Sequence, residues 1–298
     1  MQRKGMVAIM DLYISTYSYA RTPLSLYEAA EHAAAAGVAG IELVENTAIA
    51  SPEDFTGFRA HCEALGIKIV CYSTGADFLR CSDIRQEIDA VKRKVDDAAR
   101  LGVTLMRHDV TSGFPEGQGG VFADALPILA DACREITLYA QSAGVRTMVE
   151  NHGFFCQDSC RVKALIEQVG HPNYGALIDI GNFLCADEKP QDAVRNLAPY
   201  AFHAHCKDFH ILPEHADPGE GWFVSRGGTR LRGAIVGHGN AGAAESLHIL
   251  RDHGYNGGLV LEFEGLENPF EGVRIGLDNI RRYWAAADGE GNAASCAN

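Results

Sequence analysis

Two histidines and a lysine alternate along the short segment AFHAHCKDF, which covers residues 201–209. If this segment is a strand, His203, His205 and Lys207 share one face, because side chains alternate along a strand. The other face then carries small and apolar residues that suit packing beneath helices. Two imidazoles and an ammonium on one face of a buried strand predict a polar site whose side chains can bind a metal or transfer protons.

Three carboxylates are predicted at the ends of neighbouring strands. Glu150 stands in VENHG, Asp179 in DIGN and Glu262 in LEFEG. With His205 they bring three acids and one imidazole to one rim. Burying three carboxylates together is prohibitive unless a positive charge compensates them, and a divalent cation is the natural compensator. The alternative is a rim neutralised by basic side chains, namely Lys207, Arg107 and Arg146.

The predicted metal ligands are therefore Glu150, Asp179, His205 and Glu262. Oxygen ligands with one imidazole suit Mn²⁺, Mg²⁺, Co²⁺ or Zn²⁺, and among these we place Mn²⁺ first. A structural zinc site would use paired Cys and His ligands. The nine cysteines are instead scattered and form no CxxC, which predicts reduced thiols in a cytoplasmic protein.

The elements that position these residues form a regular series of eight strand candidates, each followed by an amphipathic helix candidate. Repeated βα units predict parallel strands with helices outside, and eight of them match a (β/α)₈ TIM barrel of the α/β class, for which about 250 residues is typical. A doubly wound sheet is the runner-up, but SYARTPLS after the first strand is no glycine-rich phosphate loop. The strand candidates are 12–19, 39–45, 67–73, 103–110, 146–152, 174–180, 200–206 and 258–264.

The domain organisation follows from the same pattern. We expect a single catalytic barrel over residues 1–284 and a small, polar, disordered tail over 285–298. Segment 208–241 is long for a βα loop, and it contains Trp222 and Arg230. A lid that excludes water and grips substrate is one interpretation, and an oligomer contact is the other.

The composition narrows the classes of partner. The chain has 298 residues, is 47% hydrophobic and carries a formal net charge of −13. Such an acidic balance disfavours nucleic acid and anionic membranes as partners. The N-terminal segment has no long apolar core, so we expect no signal peptide and no membrane span. No interface can be identified from the sequence, and a homo-oligomer stays open.

The four motifs VENHG, DIGN, HAHCKDF and LEFEG, in this order on strands 5 to 8, resemble the xylose isomerase-like TIM barrel superfamily. That group contains sugar isomerases and epimerases, inosose dehydratases and family-2 apurinic endonucleases. The resemblance covers about residues 12–284. It implies that the matching Glu150, Asp179, His205 and Glu262 bind one divalent metal, and that the two glutamates move protons on opposite faces of the substrate.

This reading predicts a sugar or polyol isomerase or epimerase that removes a proton next to a carbonyl and holds the enediolate on the metal. The alternative is a lyase, either an inosose-type dehydratase or an eliminase of 3-keto-glycosides or C-glycosides. An apurinic endonuclease-like repair enzyme and a non-catalytic sugar-binding barrel are further alternatives. Ketose 3-epimerases of this superfamily usually have His and Glu where this chain has Asn182 and Cys156, which favours a relative with another substrate.

Further residues complete the predicted site. His108 and Lys207 are predicted catalytic groups. The structural alternative for His108 is an ordinary hydrogen bond at the rim. The structural alternative for Lys207 is a salt bridge to Asp208 or Asp179. His203 is expected deeper, as a packed layer residue. The predicted substrate-binding residues are His152, Asn182, Glu42, Arg230 and Trp222.

Overall fold

The computed structural model describes residues 10–45, 54–213, 216 and 218–286. Its strands are β1 Leu12–Ser15, β2 Gly40–Val44, β3 Lys68–Thr74, β4 Leu105–His108, β5 Arg146–Glu150, β6 Tyr174–Asp179, β7 Ala201–Cys206, β8 Asp208–Ile211, β9 Phe223–Val224, β10 Arg230–Ala234 and β11 Leu259–Leu261. Its α-helices are α1 Leu26–Ala35, α2 Phe55–Ala64, α3 Ile84–Leu101, α4 Phe122–Ser142, α5 Ser159–Val169, α6 Pro190–Leu197, α7 Ala243–Asp252 and α8 Pro269–Ala286. Short 3₁₀ helices span Thr16–Tyr19, Asn182–Ala186 and Ala198–Tyr200.

Eight of these strands close into a parallel barrel, in the order β1-β11-β7-β6-β5-β4-β3-β2. A helix follows each barrel strand, so the predicted TIM barrel is confirmed. The first predicted strand was too long, because residues 16–19 turn into a 3₁₀ helix capped by the Ser15 side chain. The eighth was also too long, since β11 ends at Leu261 and leaves Glu262 just beyond the strand.

Local sequence signals explain where the helices begin and end. The Ser25 side chain caps α1 in a capping box with Glu28, which satisfies backbone N–H groups that have no partner within the helix. The Asp83 carboxylate accepts hydrogen bonds from the first N–H groups of α3. That helix ends at Gly102 with φ of 73°, a left-handed conformation that glycine adopts without steric cost.

The core has two parts. Most buried apolar residues lie between the strands and the surrounding helices. A small separate cluster of Cys71, Met148 and Leu177 lies inside the barrel and packs against Leu105 and Phe202. Because side chains alternate, the same strands present polar residues inward at their carboxyl ends, so the interior changes from an apolar floor to a polar mouth.

Segment 208–241 is not a simple loop. Strands β8, β10 and β9 form a separate antiparallel sheet in that order. The Asp208 carboxylate ties the base of the segment together, because it accepts hydrogen bonds from the N–H groups of Gly237, Gly239 and Ala241 at 2.9–3.0 Å. Whether the segment acts as a lid stays a prediction.

The C-terminal boundary differs slightly from the prediction. Helix α8 continues to Ala286, so residues 285 and 286 belong to it rather than to a tail. The rest of the predicted tail lies outside the described residues. All eight cysteines in the described part are free thiols, and no helix there has the length and apolar character needed to cross a bilayer.

Candidate metal centre and active site

The structure brings Glu150, Asp179, His205 and Glu262 together at the carboxyl ends of the strands. One ligand atom from each lies within 4.8 Å of the others, and all four side chains are buried. His205 Nδ1 is 3.8 Å from Glu150 Oε1, 3.7 Å from Asp179 Oδ2 and 3.6 Å from Glu262 Oε2. Such spacing leaves room for one ion between the four groups.

Strand register explains this convergence. Asp179 and Val260 both lie opposite His205 in the parallel ladders on its two sides. Glu262 is two residues beyond Val260 and therefore returns to the inward face. Asn151 secures the neighbouring end of β5, because its side-chain amide exchanges two hydrogen bonds with the backbone of Asp179, at 2.8 and 2.9 Å.

Buried polar atoms without hydrogen bonds indicate that these four side chains could hold a divalent cation. His205 Nδ1 and Asp179 Oδ2 are buried and make no hydrogen bond. Buried polar atoms nearly always have a partner. His205 Nδ1 has none, and Asp179 Oδ2 has only the Lys207 ammonium at 3.3 Å, so a cation between the two atoms would complete both. The other oxygen of Asp179 accepts from the N–H groups of Gly181 and Asn182, which orients Oδ2.

Basic side chains also approach the carboxylates, as expected if basic residues rather than a metal neutralise the rim. Lys207 Nζ is 2.6 Å from Glu262 Oε2 and 3.3 Å from Asp179 Oδ2. Arg107 Nη2 is 2.6 Å from Glu150 Oε2. Arg146 takes no part, because its guanidinium lies 3.3 Å from the centre of the Phe202 ring at the start of the strands. Lys207 thus contacts two of the oxygens that face His205 Nδ1, and Arg107 contacts the other oxygen of Glu150.

The two glutamates have opposite electrostatic settings. Burial raises the pKa of Glu150 above its ordinary value, and the Arg107 guanidinium offsets this only in part. Burial acts on Glu262 as well, but Lys207 and His205 hold the pKa of that carboxyl well below its usual range. For Lys207, burial lowers the pKa, but Asp179 and Glu262 outweigh it and keep the ammonium charged.

A cavity of about 220 Å³ opens beside the four clustered side chains. Most of its lining residues carry polar or charged groups, which suits a small hydroxylated ligand. No described residue of segment 208–241 lines it. The lining residues are Tyr17, Val44, Glu45, Ser73, Thr74, Gly75, Arg107, Asp109, Glu150, His152, His205, Lys207, Glu262 and Glu264.

His152 lies at the cavity wall, where its side chain is 48% exposed. Its Nδ1 donates to Asp109 Oδ1 at 2.9 Å, and Arg107 donates to the same oxygen at 2.7 Å. Desolvation lowers the pKa of His152, but the bond and charge of Asp109 outweigh it, so the net shift is upward. The imidazole therefore lies at the cavity wall, where a proton donor or substrate contact is predicted.

Glu42 and Asn182 lie behind the site rather than in the cavity wall. Glu42 is fully buried and contacts both histidines of β7 through hydrogen bonds. Asn182 donates to Glu150 Oε1 at 3.0 Å and so orients a predicted ligand. The structure therefore gives both residues contacts with other residues of the site, and their contact with substrate stays a prediction.

His108 is also placed away from the cavity. It is fully buried, and its Nδ1 donates to the backbone carbonyl of Asp109 at 2.8 Å. Its ring packs against Phe78 and Tyr174, and burial lowers its pKa to about 4. The predicted catalytic role therefore gains no support from geometry, because the inward residues of this strand are Leu105 and Arg107.

Arg230 lies in β10 of the small antiparallel sheet and Trp222 directly precedes β9, and neither residue lines the cavity. The Arg232 guanidinium lies 4.9 Å from the centre of the Trp222 ring. Arg230 is exposed and pairs with Val224 in the ladder of β10 and β9. The structure does not bring these two residues to the proposed ligands.

Four contacting residues were not assigned to the site from the sequence: Ser15, Arg107, Asp109 and Asn151. The sequence predicts Arg107 only as one of the basic residues that could neutralise the rim. It nevertheless lies two residues after Leu105 and therefore on the same inward face. Ser15 donates to Glu262 Oε1 at 2.8 Å from the first strand. No local motif signals that contact, because the partners are 247 positions apart.

Comparison with known proteins agrees with this geometry. Residues 30–283 match the family described as xylose isomerase-like TIM barrel. The 3-dehydroshikimate dehydratase of Pseudomonas putida is 30% identical over 195 residues, which are 63% of this chain and 29% of that enzyme. The chain spans between 28% and 47% of the length of the curated relatives it matches.

Two solved structures illustrate the shared fold. An L-ribulose 3-epimerase superposes with a TM-score of 0.74 at 15% identity, covering 97% of this chain and 100% of that one. The IolI protein with a bound zinc atom superposes with a TM-score of 0.75 at 15% identity, covering 93% and 99%. At such low identity, these likenesses show the fold alone.

Proposed function

Because the chain belongs to the xylose isomerase-like TIM barrel family, we propose that it is a divalent-metal-dependent enzyme that removes a proton next to a carbonyl of a small sugar or polyol. Isomerisation or epimerisation is the first reaction proposed. The observation that carries the proposal is the convergence of Glu150, Asp179, His205 and Glu262 beside a polar cavity. Mn²⁺ stands first among the cations, with Mg²⁺, Co²⁺ and Zn²⁺ as alternatives.

A cation held by these four residues would polarise the substrate carbonyl and its neighbouring hydroxyl. Glu150 and Glu262 line the cavity and are the groups proposed to remove the proton and to return it. Arg107 holds Glu150, and Ser15 holds Glu262, so each carboxylate is fixed in direction. Lys207 stays positively charged and is placed to bind a substrate oxygen.

A lyase is the second candidate, and two observations favour it. The curated relative in Pseudomonas putida is a dehydratase. In addition, the His152–Asp109 pair presents an imidazole to the cavity, where it could protonate a departing hydroxyl. In this reaction the same proton is removed next to the carbonyl, and water is lost from the adjacent carbon.

One screen tests the proposal and separates its two forms. The purified protein is incubated in deuterated water with Mn²⁺ and a panel of keto-sugars, inososes and 3-dehydroshikimate. Deuterium incorporation at a single carbon with a conserved formula indicates isomerisation or epimerisation. Loss of 18 mass units, the mass of water, with a new conjugated absorbance indicates the lyase. If no substrate exchanges or dehydrates in the presence of any of the four cations, the proposed function fails.

A further inference from the structure

We infer that Glu42 is a positioning residue, which fixes the nitrogen of His205 that faces the proposed metal centre. Glu42 lies on the inward face of β2 and is fully buried. Its Oε2 is 2.8 Å from His203 Nε2 and 2.9 Å from His205 Nε2. Its Oε1 accepts a hydrogen bond of 2.7 Å from the Ser73 hydroxyl. The inference rests on the proposed function, because it concerns the same metal centre.

These contacts define the protonation of both rings. A carboxylate that accepts three hydrogen bonds offers no proton in return, so each histidine must carry its proton on Nε2. In the neutral ring of His205, the Nδ1 lone pair then points at the three carboxylates, where Nδ1 makes no hydrogen bond. A ring with the opposite tautomer would place an N–H at that point and exclude a cation. Glu42 thereby selects the form of His205 that can act as a ligand.

His203 and Ser73 keep the Glu42 carboxylate in place. Both are buried, and both donate to Glu42 from neighbouring parts of the barrel interior. With donors on both oxygens, the carboxylate cannot rotate away from His205 without breaking a buried hydrogen bond, which is costly. His203 is thus explained as an anchor for Glu42 rather than as a ligand of the same ion.

The nitrogen atoms can be examined directly by NMR. Protein labelled with ¹⁵N in histidine is measured metal-free and loaded with Zn²⁺, and the ring signals are assigned with His203→Gln and His205→Gln. We expect a proton on Nε2 of both rings in both states, and a Zn²⁺-induced shift of His205 Nδ1. A His205 ring without a proton on Nε2, or one that binds Zn²⁺ through Nε2, overturns the inference.

Glu42→Gln provides the second measurement. Gln keeps one accepting oxygen but has no negative charge, so it holds the His205 Nε2–H group more weakly. We therefore expect Zn²⁺ affinity, measured by chelator competition, to fall about 10- to 100-fold. Thr137→Val is the matched control, because it removes a buried hydrogen bond to Thr147 outside the centre and should leave Zn²⁺ affinity unchanged. Unchanged affinity in Glu42→Gln overturns the inference; if that variant does not fold, the wild-type NMR measurement decides.

Two outcomes separate this inference from the proposed function. If wild-type His205 carries its proton on Nε2 but the protein binds no cation, the proposed metal centre fails while the contact made by Glu42 is upheld. The side chains of Glu42, Cys71 and His203 also offer ligand atoms within 4.8 Å of one another. Binding of a second Zn²⁺ that is lost in Cys71→Ser would make Glu42 a ligand, and that result contradicts the positioning role.

Discussion

The hydroxyl of Ser15 donates a hydrogen bond to Oε1 of Glu262, so the first strand of the barrel orients a proposed ligand that directly follows the last strand. These two strands pair in parallel and close the barrel. The closure and the proposed site therefore share one contact, and both partners are buried. Stability and the proposed metal binding should therefore be linked at this point.

Ser15→Ala should lower the free energy of unfolding by about 1–3 kcal/mol, because it leaves a buried carboxylate oxygen without its donor. Chemical denaturation of the metal-free protein measures the loss. Ser142→Ala is a suitable control, since its hydroxyl makes an exposed hydrogen bond to Tyr139. Equal stability of the two variants would show that the contact with Glu262 is dispensable.

Glu150→Gln and Glu262→Gln should each reduce turnover by about 10²–10⁴-fold, the range expected for loss of a general acid or base. Steady-state kinetics on the substrate found in the exchange screen provides the measurement, with circular dichroism to confirm the fold. Glu167→Gln, which alters a carboxylate bonded to Tyr200 at the surface, is the matched control. Full activity in both site variants would exclude these residues as proton carriers.

Removal of bound metal should lower the melting temperature. A cation at 100 times its dissociation constant stabilises the native state by about 2.7 kcal/mol, provided that it does not bind the unfolded chain. Differential scanning calorimetry with and without a chelator measures the shift, and Mn²⁺ should restore it. The variant His205→Ala should show a much smaller response, and an equal response would place the stabilising ion elsewhere.

Stability should depend on pH through Asp109. Burial raises the pKa of this carboxyl, but Arg107 and His152 outweigh it and lower the value from 3.8 to about 2. A lowered native pKa stabilises the fold above the unfolded value and loses that effect as pH falls through 2. This shift corresponds to about 2 kcal/mol at pH 7.

Asp109→Asn should remove that dependence. The difference in unfolding free energy between wild type and variant should be about 1 kcal/mol smaller at pH 3 than at pH 7, by the same linkage relation. Urea titrations at the two pH values give both numbers. A difference that stays constant with pH would mean that Asp109 has an ordinary pKa in the native protein.

The turn between β9 and β10 should depend on Asp187. This carboxylate accepts from the Ser225 hydroxyl and the Gly227 N–H, both at 2.6 Å. Asp187→Asn keeps the left-handed backbone accessible while weakening these bonds. We expect faster amide hydrogen exchange in residues 223–234 and unchanged Zn²⁺ affinity. Unaltered exchange in these residues, with α3 as internal reference, would contradict the prediction that Asp187 holds this turn in place.

The repeat of strands and helices could be predicted from periodicity, and the convergence of Glu150, Asp179, His205 and Glu262 could be predicted from their places at strand ends. The inward face was harder to predict on β4. His108 carries a side chain suited to catalysis, but its position in the alternation of side chains places it on the outward face. Arg107 alternates with Leu105 and is the residue that points inward. Glu42 shows a different difficulty. The alternation of side chains predicts that it faces inward, but its position along the barrel axis depends on the stagger between neighbouring strands.

Contacts between distant segments could not be predicted. The small sheet depends on pairing between β8 and β10, which are far apart in sequence, and on a strand of two residues. The sequence therefore predicts Trp222 and Arg230 in a loop over the cavity, whereas Arg230 lies in β10 and Trp222 directly precedes β9. The roles of Ser15 and Asn151 likewise depend on which strands become neighbours when the barrel closes.

Asp208 joins both ends of segment 208–241 through backbone hydrogen bonds, and no described residue between them reaches the cavity wall. One side chain therefore holds the two ends of the segment together, whatever the length of the chain between them. Grafting a shorter or longer insert between Asp208 and Gly237 should preserve the barrel chemistry, so this is the position at which new recognition surfaces can be added by evolution or by engineering.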